Sequence, residues 1–290
     1  MSRRPLQTLA ATLVLALAAG PALALPPLWV IRDADSTIVL FGSVHMLPKD
    51  MDWEPKALTD AIGVADDLWF EIPLDQLSAI EVTQAAARRS LLPPGEKLSD
   101  LLDPTSRRRL NRLSRRLQMP IQDLDQLQPW MAEVRLSLAL LQRQGGLSDL
   151  GVEEQLNASA PARIPRRAFE SGAQQIAILS GDALSVQLTS LKETLRELDR
   201  DPGAYKRMVR AWLSGDTRAI DHEAIEPLRK AAPQSYKSLV LDRNQAWVDI
   251  IAERLVGSGN TVMVVGAGHL VGPDGVPTLL RQRGIAVEGP

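Results

Sequence analysis

The chain has 290 residues, no cysteine, three histidines, and 33 basic against 35 acidic side chains. That length suits one large domain or two small ones, and 45% hydrophobic residues can bury a core, which excludes wholesale disorder. A formal charge of −2 gives no global case for nucleic-acid binding, and zero cysteine removes disulfides, thiolate zinc sites, iron–sulfur ligation and a cysteine nucleophile. Any metal bound here must be held by nitrogen and oxygen.

Residues 1–24 read as a secretory signal. Arg3 and Arg4 open it, Leu9 to Ala19 is apolar, and Ala22-Leu23-Ala24 offers a cleavage site. The apolar stretch is shorter than the roughly 20 residues that span a bilayer. Ser2-Arg3-Arg4-Pro5-Leu6 loosely resembles a twin-arginine signal. Cleavage after Ala24 removes Arg3 and Arg4 and takes the formal charge from −2 to −4. The expectation is a secreted or periplasmic protein with no stable membrane anchor.

Leu28 to Ile31 and Thr37 to Phe41 flank the polar turn Asp33-Ala34-Asp35-Ser36, which predicts a β-hairpin. Residues 54–66 predict a helix, with Glu54 and Pro55 suited to its first turn, and Asp67 to Ile72 a buried strand. From about 75 to 160 the pattern is helical, with starts at Asp103-Pro104 and Gln128-Pro129 and a break at Gly145-Gly146. Within it, Arg107, Arg108, Arg109, Arg112, Arg115 and Arg116 read as a solvated helix face. A strand follows near Ile164 to Phe169, then helical stretches at 173–199, 203–214 (opened by Asp201-Pro202) and 236–256. Thr261 to Val265 is the best candidate for a central parallel strand, and a helix near 276–283 and a strand at Ile285 to Val287 close the chain. Strand–helix alternation at both ends with helices inserted between predicts an α/β fold. It has a central mixed, mainly parallel sheet flanked by helices, an N-terminal β-hairpin and an inserted helical cap.

Two histidines sit in matched settings. Val39-Leu40-Phe41 runs into Gly42-Ser43-Val44-His45, and Val262-Met263-Val264-Val265 into Gly266-Ala267-Gly268-His269. Each is an apolar strand, a glycine at its end, and a histidine three residues on, delivered to the rim where open α/β sheets bind ligands. With 19 glycines in 290 residues, chance places a glycine at that offset from both histidines about 0.4% of the time, so the pair reads as functional. His222, in the polar stretch Asp216 to Glu223, lacks this context and reads as a surface residue.

Glu71 and Glu170 each end an apolar strand, where a carboxylate is costly to desolvate unless paired or bound to a cation. Two imidazoles and a carboxylate with an open position for water form the usual set for a catalytic divalent ion, here zinc, manganese, cobalt or iron in a hydrolytic role. Arg243-Asn244 lies in a predicted helix beside Trp247, Val248, Ile250 and Ile251, where the arginine is either an exposed ion-pair partner or an inward group polarising a carbonyl.

Taken together these motifs resemble the TraB/GumN family, whose animal relatives are the TIKI proteases. The resemblance runs through Leu28-Trp29-Val30, Gly42-Ser43-Val44-His45, Phe70-Glu71-Ile72, Phe169-Glu170, Ala211-Trp212-Leu213-Ser214-Gly215-Asp216, Asp242-Arg243-Asn244-Gln245-Ala246-Trp247 and Gly266-Ala267-Gly268-His269, covering residues 28–287. It implies one α/β domain over 25–290 with a helical insertion at about 75–160, and a core like that of erythromycin esterases and haem-binding ChaN proteins. It also implies a metal-dependent hydrolase acting as a peptidase, with His45, Glu71 and His269 as metal ligands and Glu170, Arg243 and Asn244 as catalytic helpers. The implied cofactor is a divalent ion (zinc, manganese or cobalt) and the partner a peptide or small-molecule substrate. Gly151-Val152-Glu153 stands where relatives often carry an aspartate after the glycine pair, which leaves Glu153 without an assigned role. Alternatives are a metal-independent esterase using one histidine as general base, and a non-catalytic protein that binds a peptide or haem.

Overall fold

The structure, a computed structural model, describes residues 25–201 and 203–290. The expected secretory segment and Pro202 lie outside those residues. Strands β1 (Leu28–Arg32) and β2 (Ser36–Ser43) form the antiparallel hairpin, with Leu28 opposite Phe41. Its turn is held by the Asp33 carboxylate, which accepts from the Ser36 N–H at 2.7 Å.

With β3 (Asp67–Phe70), β4 (Arg166–Ala168), β5 (Gly259–Gly266) and β6 (Val287–Glu288), the sheet has six strands in the order β4-β3-β5-β2-β1-β6. β2 and β3 each run parallel to β5, and β4 runs parallel to β3; β1 is antiparallel to both its neighbours. The sheet is therefore mixed and mainly parallel, and the fold is α/β. Val262 to Val265 of β5 are buried, as a strand enclosed on both faces requires. The parallel set puts the C-terminal ends of β2, β3, β4 and β5 on one edge.

Helix α1 (Lys56–Gly63) covers the sheet. Between β3 and β4 come α2 (Gln76–Arg89), α3 (Pro104–Leu117), α4 (Pro129–Arg143) and α5 (Val152–Ser159). Asp103 caps α3 by accepting from the Thr105 and Ser106 N–H groups, with Pro104 at the first helical position. Between β4 and β5 come α6 (Gly172–Gly181), α7 (Leu184–Arg200), α8 (Ala204–Leu213) and α9 (Asp242–Val256), and α10 (Val276–Gln282) precedes β6.

The stretch expected as one helix over 173–199 is thus two. Asp182 takes an extended conformation (φ −65°, ψ 147°), and the Gln187 amide donates to the carbonyls of Ser180 and Asp182 left open by the break. The chain from Thr217 to Ala231 is helical and holds a π-helical turn at Asp221–Ile225, and a second, Lys237–Leu241, leads into α9.

Two cores result. One surrounds the sheet and contains Trp29, Phe41, Phe70, Trp212 and Trp247. The other joins Leu98, Leu110, Leu113 and Leu136 to Leu191 and Leu195, so α7 completes the helical cap from beyond the 75–160 segment. Arg107, Arg108, Arg112 and Arg115 are exposed, Arg112 pairing with Asp199, while Arg116 turns inward to the Leu198 carbonyl. No helix among the described residues is long and apolar enough to cross a membrane.

Candidate functional site

Each of the four parallel strands delivers one singled-out residue to the shared edge. His45 follows β2, Glu71 follows β3, Glu170 follows β4 and His269 follows β5 by way of a single 3-10 turn. The β3/β4 pairing continues past the strands. Phe169 N–H donates to the Phe70 carbonyl at 3.1 Å and Glu170 N–H to that of Glu71 at 2.9 Å, which sets the two carboxylates side by side. The two glycine-to-histidine turns also touch. Trp212 Nε1 donates to the Gly42 carbonyl at 2.7 Å, and Gly42 lies close against Ala267.

Gly266 is the centre of the site. A Cβ there would stand 3.1 Å from Glu71 Oε1, 3.6 Å from His45 Nε2 and 3.7 Å from the His269 ring. Its φ of −49° suits any residue, so glycine serves here for close approach rather than for backbone freedom, and a side chain would crowd Glu71. Its N–H donates to Glu71 Oε1 at 2.8 Å.

Helix α9 closes the site from one side. Arg243 and Trp247, four residues apart, share a helix face, and the guanidinium lies 4.7 Å from the Trp247 ring centre. Arg243 Nη2 donates to Glu71 Oε2 and Nε to Glu170 Oε1, both at 2.7 Å, and all three side chains are 10% exposed. Its Nη1 lies 3.0 Å from His269 Nε2. Arginine only donates, so Nε2 is the acceptor, and the His269 Nδ1–H donates to Asn244 Oδ1 at 2.6 Å. Fully buried Asn244 uses its amide N–H groups on the carbonyls of Asp274 and His269. Arg243 thus points inward, and as an ion-pair partner of two carboxylates.

Burial lowers the His269 pKa to about 4, with Arg243 acting in the same direction, so the ring is neutral at pH 7. Burial alone would raise the Glu71 pKa, but His269, Arg243, His45 and the Gly266 N–H outweigh it and hold it at about 2.

His45 has a different partner. Val152 N–H donates to the Val44 carbonyl, and Leu47 and Leu147 exchange backbone hydrogen bonds, so residues 147–153 run beside the His45 loop. At Gly151 a Cβ would meet the His45 carbonyl oxygen at 2.3 Å, which excludes every other residue. The run delivers buried Glu153, whose Oε1 lies 2.7 Å from His45 Nδ1 and accepts from Ser43 Oγ at 2.5 Å. Glu153 raises the His45 pKa to about 9. The folded-state value lies above the ordinary 6.5, so the pair stabilises the fold fully below pH 6.5 and loses that contribution as pH rises through about 9. NMR titration of the His45 ring is expected to show it protonated at pH 7.5 in the wild type and back in the ordinary imidazole range in Glu153→Gln. An unchanged midpoint in the variant would contradict the assignment.

The structure thus gathers His45, Glu71, Glu170, Arg243, Asn244 and His269 around one point. His222 lies apart, its side chain 73% exposed and bonded to Glu226. Glu153 gains the role that the sequence left open. Gln175, which donates to Glu71 Oε2 at 3.2 Å, had no signal within its helical stretch. Glu170, expected as a catalytic helper, faces Arg243 and Trp247 and so positions the guanidinium.

The donor set suits a divalent ion in kind. Each imidazole has its Nδ1 tied to a side-chain oxygen, so Nε2 would be the ligand atom, in His45 only after the ring gives up the proton that Glu153 favours, and the missing Cβ of Gly266 leaves room between the rings and Glu71. In the arrangement seen, Arg243 covers His269 Nε2 and Glu71 Oε2, and no cluster of three or more His, Asp or Glu among the described residues is placed to hold a metal ion.

A family model for the TraB/PrgY/gumN family matches residues 27–289. An uncharacterized protein of Treponema pallidum (strain Nichols) is 24% identical over 268 residues, spanning 88% of this chain and 80% of that protein. The uncharacterized protein YbaP of Escherichia coli (strain K12) is 27% identical over 244 residues, 83% of this chain and 87% of its own length. No solved structure gives a significant match.

Proposed function

The chain belongs to the TraB/PrgY/gumN family, and from that premise we propose that it is an exported metal-dependent hydrolase acting on peptides, with His45, Glu71 and His269 as the metal ligands. The observation that carries this reading is the convergence of two oriented imidazoles and an ionised carboxylate on Gly266. A divalent ion held there would supply Lewis acidity and would activate a water near neutral pH. Glu153 and Asn244 fix the two rings, and Arg243 offers N–H groups to the oxygen on which charge develops. Glu170 and Trp247 hold the guanidinium in place.

Room for substrate lies on both sides of His45. One cavity of about 400 Å³ is lined by His45, Glu71, Asp149, Glu153 and Gln175. A second of about 420 Å³ runs under the cap past Met46, Tyr205 and Met208 to Gly266. Each is within the size range of ligand pockets, and a chain laid across His45 would occupy both. Export rests on the sequence pattern of residues 1–24.

A metal-independent hydrolase is the second reading. The observation favouring it is the His45–Glu153 pair at the cleft, with the ring 68% exposed and its Nδ1 held by a carboxylate; Glu153 keeps that ring protonated near neutral pH, so it would serve as a general base only as pH rises through about 9. Chelation separates the two. Peptide hydrolysis that vanishes after exhaustive chelation and returns with Zn²⁺, Mn²⁺ or Co²⁺ is expected from the first. Hydrolysis that survives chelation and is lost in His45→Ala supports the second, and ligand-dependent stabilisation without product would count against both.

A further inference from the structure

A third cavity, of about 630 Å³, lies apart from the cleft and shares no lining residue with the two cavities beside His45. Two of its walls are helix faces, each with residues at i, i+3, i+4 and i+7. Small side chains make the room: Ala177 and Gly181 on α6 stand with Ala246 on α9. A Cβ at Gly181 would meet nothing within 4 Å, so the groove is open there. Phe169 and Trp247, stacked at 5.0 Å between ring centres, give it an aromatic wall.

Glu170 lines the same cavity with an incomplete set of hydrogen bonds. Its side chain is 10% exposed; Oε1 accepts from Arg243 Nε at 2.7 Å and Trp247 Nε1 at 3.0 Å, yet Oε2 accepts nothing. A buried carboxylate oxygen without a donor costs stability. The lining offers no cation to supply one. Arg243 is the one basic residue there among the described residues, and its remaining N–H groups go to Glu71, His269 and the Leu239 carbonyl. One guanidinium therefore serves two carboxylates, which leaves a surplus negative charge. Asp182 adds to it, accepting only from the Ser238 hydroxyl at 3.2 Å and pairing with no lysine or arginine among the described residues. Asp242, the remaining acid of the lining, is already paired with Lys237.

We propose that this cavity is a second ligand site, for a small organic amine. Its ammonium donates to Glu170 Oε2, and its aliphatic or aromatic body packs between Ala177, Ala246 and Trp247. The volume suits a small molecule, and a charged donor on a carboxylate is among the stronger hydrogen bonds. Oε2 is covered by its neighbours, so the contact needs a small turn of the carboxylate about Oε1, which keeps the bonds from Arg243 and Trp247. Ligand and Arg243 then share Glu170, and the guanidinium links the second site to Glu71 and His269. The proposal does not rest on the metal-site reading.

Phenethylammonium, phenethyl alcohol and hydrocinnamate share one apolar body and differ in charge. Each is titrated by calorimetry into the full chain in the presence of EDTA. The ammonium is expected to bind about tenfold more tightly than the alcohol, the difference a charged hydrogen bond supplies, and the carboxylate most weakly. In Glu170→Gln, which keeps the shape and the Oε1 acceptor, the ammonium is expected to fall to the affinity of the alcohol. Ala246→Leu fills the groove and is expected to abolish binding of both. Equal affinity for ammonium and alcohol in the wild type would overturn the proposal, as would no ammonium binding at about 10 mM or a preference that persists in Glu170→Gln. Should Glu170→Gln fail to fold, Ala246→Leu decides: unchanged ammonium binding there would put the ligand elsewhere and overturn the site.

Discussion

His269→Ala is expected to leave a folded protein that no longer retains Zn²⁺ and hydrolyses peptide at least about 10³-fold more slowly, since metal assistance is worth several kcal/mol at about 1.4 kcal/mol per decade. The substitution removes a ring packed on Trp247 at 4.6 Å between centres, which costs about 1–3 kcal/mol of stability. It leaves Arg243 Nη1 with only the Leu239 carbonyl, at 3.3 Å, and does not touch the Arg243–Glu71 or Arg243–Glu170 bonds. Metal content after gel filtration, initial rates and circular dichroism check the three parts separately. A folded variant with full metal content and an unchanged rate would remove His269 from the site.

Arg243→Ala is expected to be the most destabilising single substitution in the site, by about 3–5 kcal/mol in urea unfolding at pH 7, because two buried carboxylates lose their common cation. The effect has a pH signature. The Glu71 pKa is depressed from 4.5 to about 2, so its contribution is fully present above pH 4.5 and is lost as pH falls through about 2. His269 is the larger cause of that depression and Arg243 the next, so the gap between variant and wild type should narrow over that window by the part that Arg243 supplies. Adding Glu170→Gln to Arg243→Ala removes one orphaned charge and is expected to restore part of the loss. A gap that stays constant from pH 7 to pH 2 would mean that Arg243 contributes mainly through its packing on Trp247.

The strand ends of the site were readable before any coordinates. Glycine after an apolar run marks where the chain leaves the sheet, which pairs His45 with His269 by spacing, and a carboxylate at the end of an apolar run adds Glu71 and Glu170; parallel strands bring all four to one edge. The partners of those residues could not. Glu153 lies 108 positions after His45, with strand β3 and several helices between, and reaches it beside a bridge between Leu47 and Leu147, a pairing that leaves no local pattern in either segment. The same holds for Gln175. The direction of Arg243 was ambiguous because an arginine among apolar neighbours fits an exposed stripe as well as a buried fork; only the carboxylates behind it decide. The break between α6 and α7 does carry a local mark, Gly181 at the last position of α6, but a single glycine inside a long helical pattern does not by itself end a helix, and the open carbonyls are met by Gln187 from the next helix.

The second core draws on helices from both sides of β4, with Leu110 and Leu136 on one side and Leu191 and Leu195 on the other. That arrangement ties two successive crossovers of the sheet into a single lid. A protease cut at the exposed Gly145 would open the chain without releasing a fragment, because the two halves would stay clasped through α7.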